Sequence, residues 1–256
     1  MTASSPQIEV VADRNALTHA AAKRFLASVQ AAVQSHGRFT VALSGGSTPR
    51  DLYALLADPA AEYRNQLPWD KLHFFWGDER HVPPNDNDSN YRMAHETMLS
   101  KVPLPVGNVH RIQAELADAD AAARAYEEEL RRFFDLPSGG APRFDLALMG
   151  LGPDGHTASL FPQTAALHER ERWVTANWVQ KLHTHRITLT VPALSPAGEI
   201  LFLVAGADKA IALRDVLHGP FHPDQWPAQV FRNCANPVVW LVDELAARQL
   251  PKQTGA

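Results

Sequence analysis

Cysteine is nearly absent from this chain of 256 residues, with Cys234 standing alone. One thiol forms neither an intramolecular disulfide nor a thiolate metal cage, which suits a reducing compartment and leaves the fold to its core. Long apolar runs are missing too. The longest, residues 200–205, falls far short of the roughly 20 residues a membrane-spanning helix needs. Residues 1–17 lack the basic-then-apolar order of a secretory signal, so the expectation is a cytoplasmic protein with no membrane partner. Charge of one sign is also scarce. A net charge of −4 without blocks of like charge argues against a nucleic-acid partner, and an anionic ligand would need a local basic pocket.

What the chain does have is alternation. Short runs rich in β-branched and aromatic residues recur at 8–11, 40–43, 72–76, 144–149, 187–191, 200–204 and 238–242. Between most of them lie stretches of helical apolar spacing, among them 16–33, 118–134 and 208–217. This order predicts parallel strands joined by crossover helices. The expected fold is one α/β domain over residues 1–256, an open, mostly parallel, Rossmann-like sheet with helices on both faces. Residues 137–142 have the composition of a linker but separate a helix from a strand, so they read as a loop within that domain. Residues 250–256 carry no core-forming pattern and are expected to fray.

The most informative stretch follows the apolar run 144–149 and reads Gly150-Leu-Gly-Pro-Asp-Gly-His-Thr-Ala-Ser159. A buried strand opening into a glycine-rich turn is where α/β proteins place ligand chemistry. Here the turn carries a carboxylate, Asp154, and an imidazole, His156, two residues apart. Gly150, Gly152 and Gly155 also satisfy the dinucleotide spacing G-x-G-x-x-G. Three residues oppose that reading: Pro153 stiffens the loop, Asp154 would repel phosphates, and Asn177 stands where a ribose-binding acid belongs. No nicotinamide cofactor is expected.

A second turn, Ser44-Gly45-Gly46-Ser47-Thr48-Pro49, follows the run 40–43. Thr48 reads as an N-cap and Pro49 as the first helical residue, so free backbone amides and the positive end of a helix face a loop without bulk. That is an anion site built from backbone. The run 72–76 ends in Gly77-Asp78-Glu79-Arg80-His81, where Asp78 and Arg80 stand at the end of a strand and are candidates to hold a polar substrate. The stretch 85–91 resembles part of a calcium loop but lacks the required glycine, and reads as a loop capping a helix near Asn90. Lys209 follows the run 200–204 and would complement a phosphate, and Arg186 opens the run 187–191. His183 and His185 lack a third ligand in a recognisable spacing, so no metal is expected. With the G-x-S-x-G elbow absent and Cys234 without a partner motif, His156 is the natural general base.

Together these segments resemble the 6-phosphogluconolactonase family of the glucosamine-6-phosphate isomerase/6-phosphogluconolactonase superfamily. The matching stretches are SGGSTPRDLY from Ser44, FFWGDERHVPPNDNDSNYRM from Phe74, NVHRI from Asn108, DLALMGLGPDGHTASLFP from Asp145, RITLTVPAL from Arg186 and LFLVAGADKA from Leu201. They follow the family's order across most of the chain. The resemblance implies the fold shared with ribose-5-phosphate isomerase and glucosamine-6-phosphate deaminase. It also implies hydrolysis of 6-phospho-D-glucono-1,5-lactone, a small phosphosugar lactone, in the oxidative pentose phosphate pathway, without metal or organic cofactor; the chain itself is expected to be a monomer. His156 would activate water, Asp154 would orient it or shape the turn, and Arg80 and Asp78 would position the lactone, Arg80 stabilising charge on the carbonyl oxygen. Ser44, Gly45, Gly46, Ser47, Thr48, Arg186 and Lys209 would hold the phosphate.

Two rivals weigh less. The deaminase pattern places a glutamate five residues after the histidine, and this chain has Phe161 there. A sugar-phosphate sensor would need a DNA-binding module, and the segment before Thr40 is neither basic nor patterned as helix-turn-helix.

Overall fold

Strands covered on both faces read as continuous apolar runs, and such runs make the spine of this molecule. The computed structural model describes residues 6–136 and 140–251, so the loop expected at 137–142 and the fraying expected at 250–256 fall in part outside the described residues. The strands, in chain order, are β1 (Gln7–Val11), β2 (Phe39–Leu43), β3 (Leu72–Trp76), β4 (Asp78–Arg80), β5 (Leu146–Met149), β6 (Val174–Val179), β7 (Thr184–Leu189), β8 (Glu199–Val204) and β9 (Val238–Asp243). The helices are α1 (Arg14–His36), α2 (Ser47–Ala57), α3 (Glu62–Gln66), α4 (Asn90–Thr97), α5 (Ala119–Phe133), α6 (Val191–Leu194), α7 (Ala210–His218) and α8 (Glu244–Ala247). Six strands pair in parallel throughout, in the order β1-β9-β8-β5-β2-β3. This is the mostly parallel α/β sheet that the alternation predicts.

Helix α1 shows why local sequence suffices for some elements. Asp13 caps it by accepting from the Ala16 amide at 2.8 Å, and Gly37 ends it in the left-handed conformation, φ 82°. Between them Leu17, Ala21, Phe25, Val29 and Ala32 recur at helical spacing and are all buried. Phe25 meets Phe39 of β2 edge-on, with centroids 5.3 Å apart, which locks helix to sheet.

The structure corrects one expectation. The run 187–191 does not join the parallel sheet. Its first part belongs to β7, which pairs antiparallel with β4 on one side and β6 on the other in a separate three-stranded sheet, while Val191 opens α6. The reason lies in β4, a strand of three charged residues whose pairing supplies an edge that no apolar pattern announces. Gly77 joins the two sheets. Its amide donates to Leu43 O in the large sheet, 2.8 Å, and its carbonyl accepts from Leu189 N in the small one, also 2.8 Å.

Two buried tyrosines finish the strand ends that face the site. Tyr53 of α2 accepts from Ser44 N at 3.1 Å and donates to Ser44 O at 2.8 Å. Tyr126 of α5 does the same for Trp76, at 2.8 and 3.1 Å. Each hydroxyl satisfies the amide and the carbonyl of one residue at the point where the chain leaves β2 or β3. Burial pushes both phenols far above their ordinary range, so they stay protonated donors.

Candidate active site

The C-terminal ends of β2, β4, β5 and β8 open on one cleft. Its volume is about 210 Å³, and Ser44, Gly45, Gly46, Asp78, Arg80, His156 and Lys209 all line it. A wider groove of about 730 Å³ runs past α1 and α2, but it gathers an Arg14–Asp51 ion pair and no glycine turn. Convergence of chemistry, not size, marks the site.

The turn after β5 is closed on itself. Gly152 N donates to His156 O at 2.8 Å, and Gly155 N donates to Gly152 O at 3.0 Å. This folds the His156 ring back over Gly152, where a Cβ would fall 2.0 Å from Nδ1. Only glycine leaves the ring that space. Asp154 Oδ1 stands 2.5 Å from His156 Nδ1. An ionised carboxylate only accepts, so Nδ1 carries a proton, and in the neutral ring Nε2 is the nitrogen with the lone pair. Burial would raise Asp154, but hydrogen bonds from His156 and Lys181 overcome it and hold the carboxyl far below the usual range. No helix follows this turn, so the dinucleotide spacing lacks the helix it requires.

The turn after β2 differs in one detail from its reading. Helix α2 starts at Ser47, with Gly46 at the N-cap position in a conformation, φ 99°, that favours glycine, and no side chain caps it. Thr48 therefore lies in the first turn instead of capping it. Ser47 faces a groove that adjoins the cleft and shares Gly46 and Arg80 with it. Among the described residues no side chain caps the amides at this helix start.

Asp78 and Arg80 reach the cleft from β4. The Asp78 carboxylate accepts from Ser159 Oγ at 2.6 Å and from Asn90 Nδ2 at 3.3 Å, so protein donors already engage both oxygens. Arg80 Nη1 donates to Asp88 O at 2.7 Å, which ties the guanidinium to the loop before α4. Glu79 between them is structural. Buried to 2 % exposure, it accepts from the Arg80, Asn90 and Tyr91 amides and from Ser89 Oγ, holding the start of α4. Arg186 lies outside the cleft lining but opposite Arg80 in the β4–β7 register. Burial lowers its proton affinity, the neighbouring Arg80 adds to this, and Asp78 opposes it.

Lys209 follows the Gly206 turn, which the buried Asp243 carboxylate fixes by accepting from Gly206 N at 3.0 and 3.1 Å. The ammonium lines the cleft while pairing with the exposed Asp208 at 2.9 Å. Among the described residues, no group of three or more His, Cys, Asp or Glu is placed to hold a metal ion. His185 instead packs its ring against Trp178 and His81.

Sequence reading missed four side chains at this site. Asn90 was read only as a helix start, yet it braces Asp78. Phe161 stacks on the His156 ring with centroids 4.2 Å apart. Thr157, 1 % exposed, lines the cleft with an Oγ1 that has no hydrogen-bond partner among the described residues. Lys181 reaches Asp154 from the β6–β7 connection, 27 residues away. Spacing offers a signal for Phe161 alone, five residues after His156.

Residues 12–240 match the family model described as glucosamine-6-phosphate isomerases/6-phosphogluconolactonase. A 6-phosphogluconolactonase of Synechocystis sp. is 41% identical over 246 residues, covering 96% of this chain and 99% of the relative. The solved 6-phosphogluconolactonase of Trypanosoma brucei superposes with a TM-score of 0.84 at 31% identity, over 97% of this chain and 100% of its own. A monomeric glucosamine-6-phosphate deaminase shares the fold, with a TM-score of 0.80 at 18% identity over 95% of this chain and 99% of its own. With a family model spanning most of its length and a near full-length relative at this identity, the chain belongs to the glucosamine-6-phosphate isomerase/6-phosphogluconolactonase family.

Proposed function

We propose that this chain hydrolyses 6-phospho-D-glucono-1,5-lactone to 6-phospho-D-gluconate, the second step of the oxidative pentose phosphate pathway. The observation that carries the reading is the state of His156: Nδ1 is bound to Asp154, and Nε2 has no hydrogen bond to the described residues at the wall of a cationic, glycine-lined cleft. A neutral imidazole held in that tautomer is a general base at neutral pH.

The reaction needs little else, because a six-membered lactone is an activated ester. His156 Nε2 takes a proton from water as the water oxygen attacks the lactone carbonyl carbon. The carbonyl electron pair moves onto oxygen, and Arg80 stabilises the resulting oxyanion. Collapse breaks the bond to the ring oxygen, which receives the proton from the imidazolium and becomes a hydroxyl. The new carboxylic acid then releases its proton to solvent. Asp154 orients the base, and Asp78, braced by Ser159 and Asn90, shapes the wall beside Arg80.

The phosphate would sit at the start of α2, on the amides of Gly45, Gly46, Ser47 and Thr48 and beside the Ser44 hydroxyl, with Lys209 and Arg186 supplying charge. Both carboxylates near the cleft, Asp78 and Asp154, are engaged by protein donors. Lys181 offsets Asp154 and Lys209 is paired with the exposed Asp208, so Arg80 and Arg186 leave positive charge in excess of Asp78 where the anion would bind. Family relatives bearing the name 6-phosphogluconolactonase support the same assignment.

The test compares three substrates on one preparation: freshly generated 6-phosphogluconolactone, unphosphorylated gluconolactone, and glucosamine 6-phosphate. Fast hydrolysis of the first, slow hydrolysis of the second and no ammonia from the third are expected. Ammonia release at a rate rivalling lactone hydrolysis would reject the reading.

A further inference from the structure

Asp154 has a second partner. Lys181 sits in the short turn Gln180–Leu182 between β6 and β7, which His183 closes in the left-handed conformation, φ 47°. Its ammonium donates to Asp154 Oδ2 while Oδ1 serves His156. The same ammonium stands 4.7 Å from the centroid of Phe161, and the Phe161 ring stacks on His156 at 4.2 Å and 26°. Four side chains therefore close a circuit, Lys181 to Asp154 to His156 to Phe161 and back. The connection that supplies Lys181 belongs to the small sheet, whereas Asp154 and His156 follow β5 of the large one.

We propose that Lys181 is a positioning residue for His156, an inference that rests on His156 being the base. A carboxylate with one donor rotates about its own bonds, whereas one held at both oxygens presents Oδ1 in a fixed plane. The direction of Nδ1–H, and with it the aim of Nε2, is then set from two sides. Phe161 fixes the ring plane, and the cation over its face keeps Phe161 in place. Lys181 also offsets the charge of Asp154. The other charged groups facing the cleft are Arg80 and Asp78 from β4 and Lys209 from the segment before α7. Loss of Lys181 removes one positive charge from beside the imidazole and so favours the imidazolium.

The experiment measures kcat and KM for 6-phosphogluconolactone from about pH 5 to 9 in wild type, Lys181→Met and Lys181→Arg, with His156→Ala as reference. Lys181 is half exposed, so neither substitution empties the core. Lys181→Met is expected to lower kcat about 10-fold with KM within about twofold, and to move the acid limb of kcat/KM up by about half a pH unit. Lys181→Arg keeps the charge and the donors and is expected to restore the limb and most of kcat. Imidazole nitrogen NMR reads the same effect without turnover: one Nδ1–H tautomer in wild type, a mixture in Lys181→Met. A Lys181→Met profile that superimposes on wild type, or a Lys181→Arg enzyme as impaired as Lys181→Met, overturns the proposal. If His156→Ala keeps near-normal kcat, the base assignment itself fails; an inactive His156→Ala beside an unaffected Lys181→Met rejects Lys181 alone.

Discussion

Replacing Gly152 with alanine adds one methyl group to the site and removes nothing. That carbon would stand 2.0 Å from His156 Nδ1, 2.2 Å from Cε1 and 2.8 Å from Asp154 Oδ1. Non-bonded heavy atoms rest at about 3.5 Å, so the imidazole must retreat by about 1 Å or more. Gly152 is not among the residues with positive φ, so its backbone accepts alanine and the fold should survive. Misplacing a reacting group by about 1 Å costs on the order of 10²-fold in rate, equivalent to about 2.7 kcal/mol of transition-state stabilisation. KM should change little, because the phosphate contacts lie on the other side of the cleft. The assay is the initial rate of acid release from fresh lactone, alongside the melting temperature. Gly107→Ala is the control, since nothing lies within 4 Å of a Cβ there. A Gly152→Ala enzyme with wild-type melting and kcat within about threefold of wild type would refute the placement of the base.

Lys209→Ala should raise KM for the phosphorylated lactone about 10-fold with a smaller change in kcat, and leave gluconolactone hydrolysis unaltered. Equal damage to both substrates would remove Lys209 from the phosphate site. Stability should fall in mild acid, because burial, with His110 and Arg38 nearby, pushes His73 down to about 4. The unfolded chain then takes up a proton that the folded chain refuses, so stability present above about pH 6.5 drains away toward pH 4, by about 1–2 kcal/mol after allowance for partial exposure. Denaturant unfolding at points across that window measures it; a flat profile, or a His73→Phe protein with the same slope, contradicts the cause. Activity should survive exhaustive chelation, and 6-phosphogluconate but not NAD should raise the melting temperature. Activity that is lost to chelation and regained with zinc would point back to His183 and His185.

The parallel sheet is legible because its strands are buried on both faces and so announce themselves as apolar runs, 72–76 matching β3 residue for residue. Strand β4 is not, since Asp78, Glu79 and Arg80 show no apolar alternation and become a strand only by pairing with β7. With β4 hidden, the run 187–191 reads as one more strand of the parallel sheet, whereas β7 pairs with β4 and β6. At the site, the two glycine turns are readable because a strand leading into glycines is a local pattern. The hydrogen bond from His156 to Asp154 is permitted by a two-residue separation but not required by it. Lys181 is invisible in the sequence, because its partner is brought near only by the β6–β7 hairpin folding over the turn. The N-cap lies two positions before Thr48, because Gly46 takes a backbone conformation that starts the helix sooner.

Gly77 spends its amide on one sheet and its carbonyl on the other. The two sheets that flank this cleft are therefore welded at one residue, next to Asp78 and bonded to the residue before Ser44. A hinged enzyme grips by closing and forgives substrates of different size. A welded one works as a gauge, holding Arg80 of the small sheet at a set reach from the two turns of the large one, the glycine turn after β2 and the turn that carries His156. For the proposed substrate, discrimination would then come from reach more than from the number of contacts.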